Sequence, residues 1–393
     1  MRVVVVSESF LPHVNGVTHS VQRLLEHLRV SGHQAVVVAP SYGPDEPTEC
    51  EGFEVVRLPS LGLPGYREVR VAPAGRSRLE RLLVDFAPDV MHLAAPFVTC
   101  HPAVQLGRRL GIAMVSIYQT DVPSYAARYQ MAAAEPMLWR WVRHLHNLTD
   151  LTLAPSRFSA DQLSAHGVER VGLWGRGVDT TRFHPGKADR VWRARMAPHG
   201  ERIILYVGRL AAEKQVEDLA ELTTLPGTRL VVIGDGPRRK VLEAQLPDAV
   251  FLGQQTGEAV PTAMASADLF VHTGELETFG QTIQEALASG TPVIAPARGG
   301  PLDLVRPSHN GWLYPPGDLR TGRQQVQDLL GDERKRQAFA TSARAGVTGR
   351  TWSAVCDELL GHYRATVSRA SSRAVVGAHH RMVGGKNSAI RSS

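Results

Sequence analysis

Two glutamates, Glu277 and Glu285, lie in a segment whose pattern is typical of a strand, a short loop and a helix. Gly290 and Pro292 mark the end of the helix. The first turn of a helix leaves backbone N–H groups free, which favours oxygen-rich or anionic ligands, and two carboxylates beside such donors suit a sugar. The plainer alternative is that Glu277 caps the helix and Glu285 lies on a solvated face. The predicted backbone donors are Thr278, Phe279, Gly280 and Gln281.

Two cations follow an earlier apolar run at residues 203–207, where Gly208 is succeeded by Arg209 and then by Lys214. Arginine offers a planar fork of donors and lysine a mobile point charge, so the pair suits a diphosphate. Taken singly, each could be an ordinary surface cation. Their position at a predicted strand end, where open α/β sheets bind ligands, favours the functional interpretation.

Three positions in the first half of the chain also follow predicted strands: Gly16, Gln119 and Asp121. Gly16 would let backbone approach a ligand at the start of a helix, although a plain turn is an equal alternative. Gln119 can hydrogen-bond a hydroxyl but cannot carry a proton at neutral pH. Asp121 is a candidate to hold or deprotonate an acceptor hydroxyl, or else to cap the segment that follows it.

The same loops argue against a dinucleotide-binding oxidoreductase. That class has Gly-x-Gly-x-x-Gly after the first strand and an acid at the end of the second strand. Here the first loop contains Gly16 alone, and the second strand ends with Val38, Ala39 and Pro40. Both features of the oxidoreductase pattern are therefore missing.

Strands alternate with helices in two series, which predicts two Rossmann-like, doubly wound parallel-sheet domains. An irregular linker rich in Gly and Pro, at residues 175–186, lies between the two series. The predicted domains are 1–182 and 183–350, followed by a last helix at 351–367 and a basic, disordered tail at 368–393. The site is expected in the cleft between the carboxyl ends of the two sheets.

The composition of the 393 residues, 43% apolar and 21% charged, is typical of a soluble globular protein. No signal peptide, membrane-spanning run, disulfide framework or zinc site is indicated, so a reduced, cytoplasmic location is expected. The net charge of +6 favours anionic partners. Contact of the basic tail with anionic lipid at the inner membrane face and a solvated end are the alternatives. Nucleic-acid binding is a remote alternative, because the cations are not interleaved with aromatics.

The glutamate segment, read as Glu-Thr-Phe-Gly-Gln-Thr-Ile-Gln-Glu-Ala-Leu-Ala-Ser-Gly-Thr-Pro-Val, resembles family 4 of the retaining glycosyltransferases, which have GT-B architecture. Within that family the chain looks most like the GDP-mannose-dependent α-mannosyltransferases, and several motifs carry the resemblance to about residue 365. It implies transfer of a hexose, α-mannosyl from GDP-mannose, to a hydroxyl of a glycolipid or other glycoside. The alternative is a UDP-sugar used on a lipid or small-molecule acceptor. The last helix would cross back to the first domain.

The resemblance also implies roles for residues. Arg209 and Lys214 would bind the donor diphosphate, Glu285 the ribose and Glu277 a hydroxyl of the transferred sugar. The Gly16 loop would lie near the distal phosphate, and Gln119 stands where many members have a histidine that contacts the sugar. The expected catalytic residues are Glu277, Arg209, Lys214 and Asp121. The expected donor-binding residues are Gly16, Gln119, Gly208, Arg209, Lys214, Thr278, Phe279, Gly280, Gln281 and Glu285.

No metal or other cofactor is expected, because the chain lacks the Asp-x-Asp motif with which metal-dependent transferases hold Mg²⁺ or Mn²⁺. The two cations, the Gly16 loop and the helix N-terminus would instead stabilise the charge that develops on the leaving diphosphate. The acceptor is expected in the first domain, near residues 121–129. The nucleotide-sugar is a substrate, and no nucleic-acid partner is expected.

Overall fold

The computed structural model describes residues 1–63, 66–71, 75–124 and 132–388, which form two α/β domains. Each domain is built on a parallel sheet with helices between the strands. The predicted fold class, two doubly wound domains with a cleft between them, is confirmed.

The first domain is built on an eight-stranded sheet. The strands of the whole domain, including two outside this sheet, are β1 (Arg2–Ser7), β2 (Gln34–Pro40), β3 (Glu49–Cys50), β4 (Phe53–Leu58), β5 (Leu61–Leu63), β6 (Tyr66–Val71), β7 (Val90–Ala94), β8 (Ala113–Ile117), β9 (Leu151–Ala154) and β10 (Val171–Leu173). The sheet order is β10-β9-β8-β7-β1-β2-β4-β3, parallel except for the antiparallel β3–β4 pair, and β5 and β6 form a separate hairpin. The sequence pattern does not predict β3, β5, β6 or β10, which are short or peripheral.

Helices cover the faces of this sheet, so the central strand β1 is buried on both sides. Its residues Val3, Val4, Val5 and Val6 are completely buried, as expected for an unbroken apolar strand in a parallel sheet. The helices of the first domain are α1 (Gly16–Val30), α2 (Arg76–Phe86), α3 (Cys100–Leu110), α4 (Glu135–Asn147) and α5 (Arg157–Ala165).

The second domain is built on a six-stranded sheet that is parallel throughout. Its strands are β11 (Arg202–Val207), β12 (Thr228–Ile233), β13 (Val250–Gly253), β14 (Leu269–Val271), β15 (Val293–Pro296) and β16 (Gly311–Tyr314), in the order β13-β12-β11-β14-β15-β16. Its helices are α6 (Arg190–Met196), α7 (Leu219–Thr223), α8 (Arg239–Gln245), α9 (Ala259–Ser266), α10 (Gln281–Ala288), α11 (Pro301–Leu304), α12 (Leu319–Gly331) and α13 (Glu333–Val347).

Each sheet has one point at which the strand order reverses. In the first sheet this point lies between β1 and β7, and in the second it lies between β11 and β14. Crossover connections leave such a point in opposite directions, which opens a crevice at the carboxyl ends of the two strands. The loops after β1, β11 and β14 carry Gly16, Arg209 with Lys214, and Glu277, respectively.

The last helix, α14 (Trp352–Ser388), packs on the first domain. Its residues Val355, Leu359 and Tyr363 belong to the first hydrophobic core, and the Tyr363 hydroxyl lies 2.6 Å from His92 Nδ1. The helix continues past residue 367 to Ser388, where the sequence predicts a disordered tail, and residues 389–393 of that tail lie outside the described residues. The composition suggested disorder, but alanine and arginine favour helix, and a helix that is already anchored extends at little cost.

The linker enters the second domain earlier than the sequence suggests. Val178 and Phe183 both belong to the second hydrophobic core, and the Val178 N–H donates to the Arg350 carbonyl at 2.8 Å. The second core therefore begins a few residues before the predicted boundary at 183. Across the described ranges, none of the helices is long and apolar enough to span a membrane.

Candidate active site

The reversal point of the second sheet brings Lys214 and Glu277 into contact. Lys214 ends a turn of 3₁₀ helix after β11, and its Nζ donates to Glu277 Oε1 in the loop after β14. The Thr273 hydroxyl donates to the Lys214 carbonyl at 2.7 Å and so ties the two loops together. Both charged side chains are largely buried, with 20% and 15% of their surfaces exposed. Two of the predicted site residues are thus one ion pair.

The charge around Glu277 keeps it ionised. Burial acts to raise the pKa of this carboxyl, but Lys214 lies against it and the Arg176 guanidinium adds further positive charge. The net effect is a pKa below the usual range for glutamate. His272 Nε2 lies 3.7 Å from the same oxygen, and burial lowers the pKa of this histidine to about 4. At neutral pH the site therefore contains a carboxylate, an ammonium and an uncharged imidazole.

Arg209 lies in a wider part of the crevice, and 59% of its side chain is exposed. This space, a cleft of about 560 Å³, is bounded by Asn15 and neighbouring residues from the first domain and by Gly208, Arg209 and Gly234 from the second. Gly234 has φ of 141°, and a Cβ there would overlap the Gly208 carbonyl. The glycine therefore lets two strand-end loops pack backbone to backbone. A cleft of this volume is in the usual range for a small-molecule site.

Gly16 begins α1, as expected, but the contacts around it differ from the prediction. The side chain of the N-cap residue Asn15 accepts from the N–H groups of Val17 and Thr18, so these two helix donors are already bonded. The Gly16 carbonyl accepts from Arg176 Nη1 at 2.6 Å, and a Cβ on Gly16 would lie 3.3 Å from that nitrogen. Gly16 thus gives the guanidinium close access to the backbone.

Gln119 connects the first domain to the Glu277 loop. Its carbonyl accepts from the Thr278 hydroxyl at 3.2 Å, and its side-chain Oε1 accepts from Arg176 Nη2 at 3.3 Å. The side chain is buried, with 7% of the residue exposed. Gln119 and Thr278, two predicted donor-binding residues from different domains, are therefore in direct contact.

Asp121 is also buried, but both of its oxygens are already bonded within the first domain. Oδ1 accepts from the Tyr118 hydroxyl at 2.9 Å and from the Ser124 N–H at 3.1 Å, and Oδ2 accepts from Gln162 Nε2 at 3.1 Å. Asp121 and Glu277 line the same narrow gap between the domains. These contacts favour the capping role over that of a base, although the position borders the site.

Helix α10 begins where the sequence predicts, and Gly280 is its N-cap, with φ of 94°. The first bond of the helix runs from Gln284 N–H to the Gly280 carbonyl at 3.1 Å, and the helix geometry leaves the preceding N–H groups available. The Gly300 N–H donates to the Glu277 carbonyl at 2.7 Å. Phe279 is buried and so anchors this turn in the core.

Glu285 lies one turn into α10, half-buried beside Gln281, whose Nε2 is 3.4 Å from its Oε1. Burial raises the pKa of Glu285 to about 7, while Gln281 and the charge of Arg182 act in the opposite direction. The two glutamates therefore have opposite pKa shifts. A carboxyl that is protonated for part of the time near neutral pH can donate as well as accept a hydrogen bond.

Sequence reasoning missed two residues of this site, Arg176 and His272. Arg176 lies between Gly175 and Gly177 in the linker, where a Cβ on Gly177 would lie 2.5 Å from the Trp352 Cα. His272 directly follows β14. An arginine flanked by glycines in a domain linker is a weak signal. A histidine just after a strand is also a weak signal, because such a histidine can equally be a structural residue.

Similarity to known proteins decides the family. Residues 14–182 match the model "Glycosyltransferase Family 4" and residues 190–346 match "Glycosyl transferases group 1". The chain is 46% identical to the GDP-mannose-dependent α-mannosyltransferase of Mycobacterium tuberculosis (strain CDC 1551 / Oshkosh), over 95% of this chain and 99% of that protein. The chain belongs to glycosyltransferase family 4. The predicted family and enzyme class are thus confirmed.

A further relative and a solved structure support the same family and fold for this family 4 transferase. It is 43% identical to the GDP-mannose-dependent α-mannosyltransferase of Corynebacterium glutamicum, over 92% of this chain and 88% of that one. Among solved structures, the sucrose-phosphate synthase of Thermosynechococcus elongatus has a TM-score of 0.77 at 20% identity, covering 94% of this chain and all of that one. The structural likeness supports the fold, and the sequence likeness supports the family.

Proposed function

We propose that this family 4 transferase moves an α-mannosyl group from GDP-mannose to a hydroxyl of a glycolipid or other glycoside. The near full-length identity to GDP-mannose-dependent α-mannosyltransferases carries this proposal. The arrangement of Lys214 and Glu277 at the reversal point supports it, since a diphosphate and a hexose need these two kinds of group side by side.

In the proposed complex, the nucleotide occupies the 560 Å³ cleft and its diphosphate lies between Arg209 and Lys214. Arg209 is exposed in that cleft and has room to turn toward a phosphate. Lys214 would exchange at least part of its bond to Glu277 for one to the diphosphate. Glu277 would then accept from a hydroxyl of the mannose, and Glu285 from the ribose hydroxyls.

The chemical step breaks the bond between C1 of the sugar and the diphosphate oxygen. Negative charge grows on that oxygen as the bond lengthens, and preorganised cations at this point are usually the largest catalytic contribution. Arg209, Lys214 and the N-terminus of α10 supply such charge without a metal. No cluster of three or more metal-ligating side chains occurs within the part of the chain that the structure describes.

We infer retention of anomeric configuration by attack on the same face, through an oxocarbenium-like state. The acceptor hydroxyl would lose its proton to the departing diphosphate oxygen, which lies on the face from which it attacks. The acceptor would bind near Asp121, but the predicted acceptor segment from 125 to 129 lies outside the described residues. Isolation of a glycosyl-enzyme adduct on Glu277 or Asp121 would contradict the same-face step.

A ligand panel tests the donor. Thermal unfolding is measured with GDP, GDP-mannose, UDP, UDP-glucose and ADP, because a ligand bound to the folded state raises its stability by RT ln(1 + [L]/Kd). We expect stabilisation by GDP and GDP-mannose at concentrations that give little with UDP or ADP. A shift with UDP alone would instead favour the UDP-sugar alternative.

Turnover then tests the reaction. Labelled GDP-mannose is incubated with candidate glycolipid and soluble glycoside acceptors, and the product linkage is determined by NMR. We expect an α-mannosidic product that forms equally well after treatment with EDTA. Loss of activity in EDTA that returns with Mg²⁺ or Mn²⁺ would contradict the metal-independent step. Sedimentation with phosphatidylglycerol vesicles separately tests whether the basic tail contacts anionic lipid or is a solvated end.

A further inference from the structure

Arg176 joins three parts of the site although it belongs to none of the predicted motifs. It lies in the domain linker and is buried, with 7% of its surface exposed. Its guanidinium donates to Gly16 and Gln119 in the first domain. Its carbonyl accepts from Gln284 Nε2 on α10 at 3.1 Å. The residue thus connects two first-domain loops to the helix that follows Glu277.

The two ends of the Gln119 amide have different surroundings. Oε1 accepts from Arg176, whereas Nε2 is buried and has no hydrogen-bond partner among the described residues. A guanidinium has donors only, so it holds the amide with its oxygen toward the linker and its nitrogen away from it. A buried donor without a partner is unfavourable, and a ligand that supplies an acceptor removes that penalty.

The position of this unpaired donor points to the transferred sugar. The Gln119 carbonyl accepts from the Thr278 hydroxyl, and Thr278 directly follows Glu277. The amide is therefore held beside the loop that carries the proposed sugar-binding carboxylate. Glu277 offers acceptors only while it is ionised, so a donor opposite it would complement a hydroxyl group, which both donates and accepts.

We propose that Arg176 is a positioning residue that fixes the Gln119 amide so that its Nε2 donates to a hydroxyl or ring oxygen of the transferred sugar. The inference rests on the proposed function for the presence of a sugar, and it assigns Arg176 no contact with the substrate. Burial lowers the pKa of Arg176 to about 10, while the charge of Glu277 opposes this shift, so the guanidinium stays charged at neutral pH.

Gln119→Glu tests the donor end of the amide separately from its acceptor end. The carboxylate keeps an acceptor for Arg176, now with opposite charge, but it lacks the donor. We expect an unfolding temperature equal to or above that of the wild type, an unchanged thermal shift with GDP, and kcat lower by about 10- to 100-fold. Gln325→Glu is the matched control, because Gln325 lies on α12 of the second domain and its Nε2 donates to the Leu313 carbonyl on β16. This control should keep wild-type kcat.

A double-mutant cycle tests the role of Arg176 itself. Arg176→Met, Gln119→Ala and the double variant should have nearly the same kcat, since each removes the same oriented donor. Arg176→Lys still donates and should restore part of kcat. Arg336→Lys is the control, because Arg336 is as buried as Arg176. It contacts Asp268, which precedes β14 and so lies at the end of the sheet opposite the site. It should affect stability without affecting kcat.

Additive effects of the two substitutions would overturn the inference, as would a Gln119→Glu variant with nearly wild-type kcat. The second result decides the question even if Arg176→Met does not fold. All assays use the nucleotide-sugar that the wild type turns over best. A wild type inactive with every donor contradicts the proposed function, whereas an active wild type with an active Gln119→Glu variant contradicts only the inference about Gln119 and Arg176.

Discussion

Lys214 and Glu277, 63 positions apart, form an ion pair across the reversal point of the second sheet. Their loops follow the adjacent strands β11 and β14, and both side chains are largely buried. Removing one partner of a buried pair leaves an uncompensated charge, which costs more than the pair itself contributes. The pair therefore keeps both site residues desolvated and oriented before the donor arrives.

Lys214→Met should lower kcat/KM by about 10²–10³-fold, because it removes one preorganised cation from the leaving diphosphate. It should also raise the pKa of Glu277, since Lys214 is the main charge that holds this pKa down. The acid limb of the kcat/KM profile should then move to higher pH. The measurement is a profile from pH 4 to 9, with the exposed Lys240→Met as control. An unmoved acid limb would contradict the assigned role of the pair.

The contact between Lys214 and Glu277 could be predicted only in outline. Strand alternation and strand-end motifs place both residues at one edge of a sheet, because parallel strands end on the same side. The sequence cannot show that β11 and β14 are neighbours, since that depends on which crossovers the packed core allows. The contacts of Arg176 and Gln119 depend in addition on the relative position of the domains, which no local pattern encodes.

Glu285→Gln should stabilise the protein at high pH. Burial raises the pKa of Glu285 to about 7, above its value in the unfolded chain. A raised carboxyl pKa means that the folded state binds the proton more tightly, so stability falls as pH rises from the unfolded value through 7. Glutamine removes this loss, and Tm at pH 8 should rise by several degrees, at about 2–4 °C per kcal/mol. The difference should fade toward pH 4.5, and calorimetry across this range measures it.

The same variant should bind the nucleotide more weakly. If Glu285 holds the ribose, loss of its charged acceptor should weaken GDP binding by about tenfold, as for one charge-assisted hydrogen bond. Titration calorimetry at pH 8 gives the affinity. A variant that is stabilised yet binds GDP as tightly as the wild type would show that Glu285 does not contact the donor.

Asp121→Asn distinguishes a base from a cap. Loss of a general base would lower kcat by about 10²–10⁴-fold. The bonds that Asp121 accepts from Tyr118, Ser124 and Gln162 predict a different result, a fall in Tm of a few degrees with kcat within about tenfold of the wild type. Asp161→Asn, at an exposed position of α5, is the control for the loss of one acid. A stable variant with a very low kcat would restore the catalytic assignment.

Gly300→Ala should damage the site through the backbone alone. A Cβ at Gly300 would overlap the Phe279 carbonyl, and the Gly300 N–H already holds the Glu277 carbonyl. The loop must therefore move, which we expect to cost about 1–3 kcal/mol of stability and to reduce kcat and donor affinity together. Gly346→Ala is the matched control, because Gly346 lies in α13 with open space around it. Alanine there should raise stability by about 0.5–1 kcal/mol without changing kcat. Calorimetry and turnover assays on the two variants separate an effect of the Glu277 loop from a general effect of replacing glycine. Equal changes in stability and kcat for the two variants would refute the proposed backbone constraint.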